Sequence, residues 1–253
     1  MSLRLFHLSD IHFGLEDAEA LDWAKGLILD ERPDAVVITG DLTMRARHRE
    51  FAAAREWINS LEASVAVSIG NHDMPYFNPL ERFFDPYRRF EGMRAHVERE
   101  LDLPGLAIVP LKTAVRAQPR FNWSKGWISR KALSECLEAI DALPEGMQVL
   151  VAAHHPLREV GTQGTALTGR GSAALDALAK RDVLAVLSGH VHDPFDIAEP
   201  TPSGPMRMIG AGTLSERTRA TPPSFNELSV VAKNSKVGAK SLQVRVRTLS
   251  DQA

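Results

Sequence analysis

The chain has 253 residues, 44% of them apolar and 25% charged, with a formal net charge of −2. That balance suits a soluble globular protein with a sizeable core and argues against a basic surface that coats nucleic acid. The single cysteine, Cys136, excludes an internal disulfide. No apolar run approaches the ~18 residues of a membrane span, and the opening MSLRLFHLSD is too short in apolar length for a signal peptide. A reducing, cytoplasmic setting with no membrane partner is the expectation.

In chain order, RLFHLS (4–9) reads as a strand and 17–31 as a helix. AVVIT (35–39) is a second strand, 49–62 a second helix and VAVSI (65–69) a third strand. A loop rich in proline and aromatics follows, and 76–105 reads as an excursion from the core, either a lid or a surface. Within it ERFFDPYRRF (81–90) has the pattern of a solvated amphipathic helix. LAIVPL (106–111), VLVAA (149–153) and VLAVLS (183–188) are strands, and 129–142 and 171–181 are helices, with Cys136 on the inner face of the former. After residue 195, MRMIG, SFNELSVVA and KSLQVRVRTLS predict an antiparallel portion, and 232–253 supplies its last strand. Strands alternating with helices of this length imply an α/β fold with a largely parallel, buried sheet. No repeat or Gly/Ser linker divides the chain, so 1–253 is read as one domain.

Five short blocks end five of these strands. They are SDIH with Asp10 and His12, TGD with Asp41, GNHD with Asn71, His72 and Asp73, AHHP with His154 and His155, and GHVH with His190 and His192. Six of the nine histidines fall here. In a parallel sheet the C-terminal strand ends share one edge, where ligand sites collect. Carboxylates, one amide and several imidazoles, without a thiolate, suit Mn, Fe, Zn or Co better than calcium or a structural zinc cage. The donors are too many for one ion and about right for two, and an aspartate can bridge such a pair. In an extended strand Asp10 and His12 would point to one side, and Gly40, Gly70 and Gly189 would let the turns come close.

Charge then suggests the substrate. Two divalent ions, Asp10, Asp41 and one hydroxide leave about one positive unit, which suits an anionic phosphate ester. Metal-bound hydroxide would be the nucleophile. His72 is free to protonate the leaving alkoxide or to stabilise its charge, and Asp73 would orient His72 or cap a turn. Arg158 and Arg170 are candidate phosphate contacts. Trp123 and Trp127, flanking SKG, read as core packing, with stacking on a base as the alternative. His7, His48 and His96 read as structural or exposed.

In this order the blocks resemble the calcineurin-like metallophosphoesterases, and among them the bacterial branch of cyclic-nucleotide and glycerophosphodiester phosphodiesterases. The resemblance runs from about residue 3 to 231 and includes SKGWIS (124–129) and GTLSERTRATPPSFN (212–226). It implies a four-layer α/β/β/α sandwich of two mixed sheets flanked by helices. It also implies one metal on Asp10, His12, Asp41 and His192, and another on Asp41, Asn71, His154 and His190, with Asp41 shared. His155 would lie in the second shell or near the substrate, and His72 would serve the leaving group. Met44 stands where an acidic residue is frequent in the family, and LAIVPLKTAV lacks a frequent acidic strand end. A small-molecule phosphodiester is the expected substrate. A phosphomonoesterase or a nucleotide or pyrophosphate hydrolase is the alternative, followed by a DNA exonuclease or a non-catalytic scaffold. Dimers are common in this branch, so a homodimer is a possible partner state.

Overall fold

The computed structural model describes residues 2–231 and 241–252. The alternation of side chains along each strand decides the layering. In β1 (Ser2–Leu8) and β2 (Ala35–Ile38), Phe6, Leu8, Val36 and Ile38 face one way and Leu3, Leu5, Ala35 and Val37 the other. The first set packs under α1 (Ala18–Glu31) and α2 (His48–Asn59) through Trp23, Ile28, Phe51 and Ile58. The second set meets Leu150, Ala152, Ala185 and Leu187 from the other sheet. Those residues lie on β5 (Gln148–Ala153) and β6 (Ala185–Ser188), whose opposite faces carry Val149, Val151 and Val186. These pack against α5 (Arg130–Asp141) and α6 (Gly171–Ala179). Both faces of these central strands are therefore covered, which is why β2, β5 and β6 are nearly continuous apolar runs. The layers run helix, sheet, sheet, helix.

The first sheet continues with β3 (Val65–Val67), β9 (Ser224–Val231) and β10 (Ser241–Thr248) in the order β10-β9-β1-β2-β3. The second adds β4 (Leu106–Leu111), β7 (Phe195–Glu199) and β8 (Met206–Gly210) in the order β4-β5-β6-β8-β7. β1, β2 and β3 are mutually parallel, as are β4, β5, β6 and β8. Their C-terminal ends thus open on one edge of the molecule.

Three expectations need correction. The segment after residue 195 is not wholly antiparallel, because β8 pairs with β6 in parallel, although it pairs with β7 in antiparallel and β9 is antiparallel to both β1 and β10. The strand β7 was not expected. Its sequence FDIAE alternates charge with apolar residues, as an edge strand can. The helix at the centre of 76–105 is not an excursion. In α4 (Arg88–Val97), Phe90, Met93 and Val97 are buried against the first core beside α2. Only the approach to it, with the short α3 (Pro79–Phe84), leaves large apolar side chains exposed. The last strand forms as expected, while 232–240 lies outside the described residues. Cys136 is buried on α5, and burial pushes its thiol up to about 12. Among the described residues no helix is long and apolar enough to cross a membrane.

Candidate metal centre

The blocks lie just past the strand ends, and there the backbone leaves the extended region. Asp10, His12, Asp41, His190 and His192 all have positive φ, between 50° and 69°. The expectation that Asp10 and His12 continue an extended strand is therefore corrected. Asp and His tolerate the left-handed region better than most residues, yet each such turn costs energy and persists only where its surroundings hold it. Here the loops hold each other. Asp10 N donates to Gly40 O at 3.1 Å, and His12 N donates to Asp41 O at 2.9 Å. Glycines allow the approach. A Cβ on Gly70 would stand 2.1 Å from Asp41 Oδ1, and one on Gly189 would stand 1.8 Å from Ser9 Oγ.

Each buried carboxylate has one oxygen anchored and the other turned to imidazoles. Asp10 Oδ2 accepts from Ser9 Oγ and His190 N, both at 2.7 Å. Its Oδ1 has no hydrogen-bond partner and lies 3.1 Å from His192 Nε2 and 3.6 Å from His12 Nε2. Asp41 Oδ1 accepts from His72 N at 2.8 Å. Its Oδ2 lies 3.2 Å from His154 Nε2 and 3.9 Å from His12 Nε2, and so faces both groups of donors. His154 Nε2 is also 3.2 Å from Asn71 Oδ1, and His12 Nε2 is 3.3 Å from His192 Nε2. Two donors each about 2.1 Å from a shared ion sit roughly 3.0–3.4 Å apart. The orphaned Asp10 Oδ1, the donor types and this spacing fit a metal pair.

Two of the donor histidines are aimed by backbone carbonyls. Nδ1 of His154 donates to Thr39 O at 2.7 Å and Nδ1 of His192 to Arg217 O at 2.6 Å, which leaves Nε2 for a ligand role. The His190 ring packs 5.3 Å from that of His154, and their donor atoms come within 4.8 Å of each other. Burial opposes charge on Asp10 and Asp41, but the imidazoles of His192 and His12 around one, and His154 and His72 around the other, hold both well below the usual carboxylate range. Burial would likewise push His154 down, yet Asp41 and Asp10 lift it to about 9. A site that attracts protons so strongly is one in which cations compete with them. His190 differs: burial and the neighbouring His154 push it down to about 3.

His155 does not join the donors, although it is buried beside them. Its Nε2 donates to Ser124 O and its Nδ1 accepts from Thr113 Oγ1, both at 2.9 Å. It ties the SKG loop to the donor cluster. Asp73 is a correction. Its carboxylate accepts from Thr43 N at 2.8 Å, Gly70 N at 2.9 Å and Thr43 Oγ1 at 3.0 Å, bracing two ligand loops rather than orienting His72. Burial and the Asp41 charge push it up to about 6. The His72 ring is set instead by Met44 O, which accepts from its Nδ1 at 2.7 Å.

A cavity of about 120 Å³ opens over the donors, and Lys125, Arg217 and Arg219 line it. Arg217 Nη1 lies 3.3 Å from His72 Nε2 and 3.4 Å from His12 Nε2. These cations escaped the sequence reading, which offered Arg158 and Arg170 instead. Arg158 pairs with Glu199 and Ser172, and Arg170 donates to Ile128 O. The only signal for Arg217 and Arg219 was their place in the loop after a strand, GTLSERTR. Trp127 is half-buried and packs on Gly169, while Trp123 borders a cavity next to the donors. His7 is buried and bonded to Thr39 and Asn226. A larger cavity of about 850 Å³, beside Arg94, Leu103 and Met147, lies at the opposite ends of β4 and β5, away from this chemistry.

The sequence model of the calcineurin-like phosphoesterase family matches residues 3–194. The chain belongs to this family. Its members are metal-dependent phosphoesterases, and the paired donor groups accord with that. A probable glycerophosphodiester phosphodiesterase of Arcobacter nitrofigilis is 29% identical over 65% of this chain and 58% of its own length. A cAMP/cGMP dual specificity phosphodiesterase of Mycobacterium tuberculosis is 28% identical over 74% of this chain and 61% of its own. The chain spans about three-fifths of the length of these curated relatives. A dimetal phosphatase from Danio rerio shares the fold, with a TM-score of 0.66 at 15% identity over 97% of this chain and 96% of its own.

Proposed function

We propose that the protein hydrolyses small phosphodiesters with two divalent or transition metal ions, Mn, Fe, Zn or Co. Asp10, His12, Asp41 and His192 would hold one ion, and Asp41, Asn71, His154 and His190 the other. The observation that carries this reading is the position of Asp41 Oδ2, which faces both donor groups from one buried carboxylate. Bound ions would neutralise phosphoryl oxygens and activate water. The remaining work falls to the chain. Arg217 Nη1 stands where a non-bridging phosphoryl oxygen can accept from it. His72 Nε2 faces the same cavity and can pass a proton to the leaving oxygen, while Met44 O, accepting from Nδ1, sets the direction of the ring. His155 fixes the loop carrying Lys125. The names of the relatives favour a diester, and so does the second cavity beside His72, which has room for a second substituent.

The test is turnover of bis(p-nitrophenyl) phosphate and p-nitrophenyl phosphate by chelator-stripped protein reloaded with Mn²⁺. Metal-dependent hydrolysis with the diester preferred is expected. Preference for the monoester, or no turnover of either, would contradict the reading.

A further inference from the structure

The cavity over the metal donors does not end at the histidines. Asn71, His72 and Ser124 also border a second cavity of about 550 Å³. Its far walls are the rings of Tyr76, Phe83, Phe121 and Trp123, brought together from the approach to α4 and from the loop before α5. Phe83 meets Trp123 edge-on, with ring centres 6.0 Å apart at 85°. The Arg82 guanidinium lies 5.4 Å from the centre of the Trp123 ring and is held by Arg116 O and Pro75 O. Tyr76 remains 63% exposed, Phe83 44% and Phe121 108%. Large rings left uncovered next to a reaction centre are costly in water and informative about what covers them. No carboxylate lines this second cavity among the described residues.

We infer that the second cavity seats a planar aromatic substituent of the phosphoester, a nucleobase or an aryl ring, and that Trp123 and Phe83 determine this specificity. The inference rests on the phosphoester reading of the metal centre. Two features select a flat ring over an alkyl chain. The walls are aromatic faces and edges, which pair with another π-system in stacked or edge-on geometry. The remaining lining is polar, with Arg82, Asn122 and Ser124, and a chain of methylenes would leave those groups facing hydrocarbon. A ring with heteroatoms on its rim can offer its faces to Trp123 and Phe83 and its edge to Asn122. The shared border at His72 and Asn71 places such a ring one ester linkage from the donors.

The experiment uses calorimetry of the Mn²⁺-reloaded protein with two matched pairs of anions. Methylphosphonate and phenylphosphonate differ in a ring, and ribose 5-phosphate and adenosine 5′-monophosphate differ in a base. The ring-bearing member should bind at least about tenfold more tightly in one or both pairs. Trp123→Ala and Phe83→Ala should each cut that ratio to below about threefold. Both should leave the ringless anion's affinity unchanged, which also reports an intact fold. A gain confined to the nucleotide pair identifies nucleoside esters, and a gain with phenylphosphonate extends the class to aryl esters. Equal affinities within both pairs, or a gain that survives both substitutions, overturns the inference while leaving the metal centre standing. Binding of none of the four removes the phosphoester reading itself, and the inference with it.

Discussion

Two regions line adjoining cavities and are built differently. At the strand ends Asp10, His12, Asp41 and His154 are at most 1% exposed. Their loops are locked to each other through backbone hydrogen bonds, and glycines stand where a methyl group would collide with a donor or its anchor. On the aromatic wall the rings of Tyr76, Phe83 and Phe121 stand in solvent, on a short helix and a loop. The first region fixes positions to within fractions of an ångström, as a shared ion demands. The second offers surface that a ligand can complete. Phosphoester chemistry should therefore be sensitive to small changes at the strand ends, and substrate choice to changes at the wall.

His72 belongs to the reacting side of that division, and its loss gives the largest effect. His72→Ala should retain both metals and lower kcat by about 10²–10⁴-fold. The loss should grow as the leaving alcohol becomes a weaker acid. A rate that falls equally for all leaving groups would remove His72 as the proton donor.

Gly189→Ala probes how cramped the strand ends are. The new methyl would meet Ser9 Oγ at 1.8 Å and Asp10 Oδ2 at 2.3 Å. A cost of about 1–3 kcal/mol in urea unfolding is expected, together with weaker metal retention, because Asp10 must move. An unchanged midpoint with full metal content would show that the loops give way more easily than this packing implies.

The smallest effect concerns pH. His7 lies on β1 beneath the site, and burial pushes its pKa from 6.5 to about 3, against the opposing pull of Asp10. The folded state thus refuses a proton that the unfolded chain accepts. The contribution is intact above about pH 6.5 and is lost as pH falls from there toward 3, by up to ~1.4 kcal/mol per unit. His7→Gln should flatten the fall of the urea midpoint between pH 6.5 and 5. An identical slope in the variant would contradict the assignment.

The convergence of Asp10, His12, Asp41, Asn71, His154, His190 and His192 was legible because each sits in a short block past a strand end, and parallel pairing brings such ends together whatever their distance in sequence. The largely parallel, buried α/β sheet followed from apolar runs alternating with helices, whereas the four layers were implied only by the family resemblance. The left-handed backbone of Asp10 and His12 was not legible, because it arises from hydrogen bonds to the loop after β2. Nor was the bracing role of Asp73, which depends on the amides of Thr43 and Gly70 converging on it. The spacing of Phe90, Met93 and Val97 did carry a helical signal, but the arginines around it suggested solvent. Arg217 and Arg219 lie in a segment that entered only through the family resemblance, with no role given to either arginine. They reach the site because β8 pairs in parallel with β6 and delivers the loop that follows to the same edge.

The central claim is that two ions share Asp41. The most direct measurement is the electron paramagnetic resonance spectrum of protein fully reloaded with Mn²⁺. An exchange-coupled spectrum from a bridged pair is predicted. The signal of magnetically isolated Mn²⁺ at full loading would contradict it.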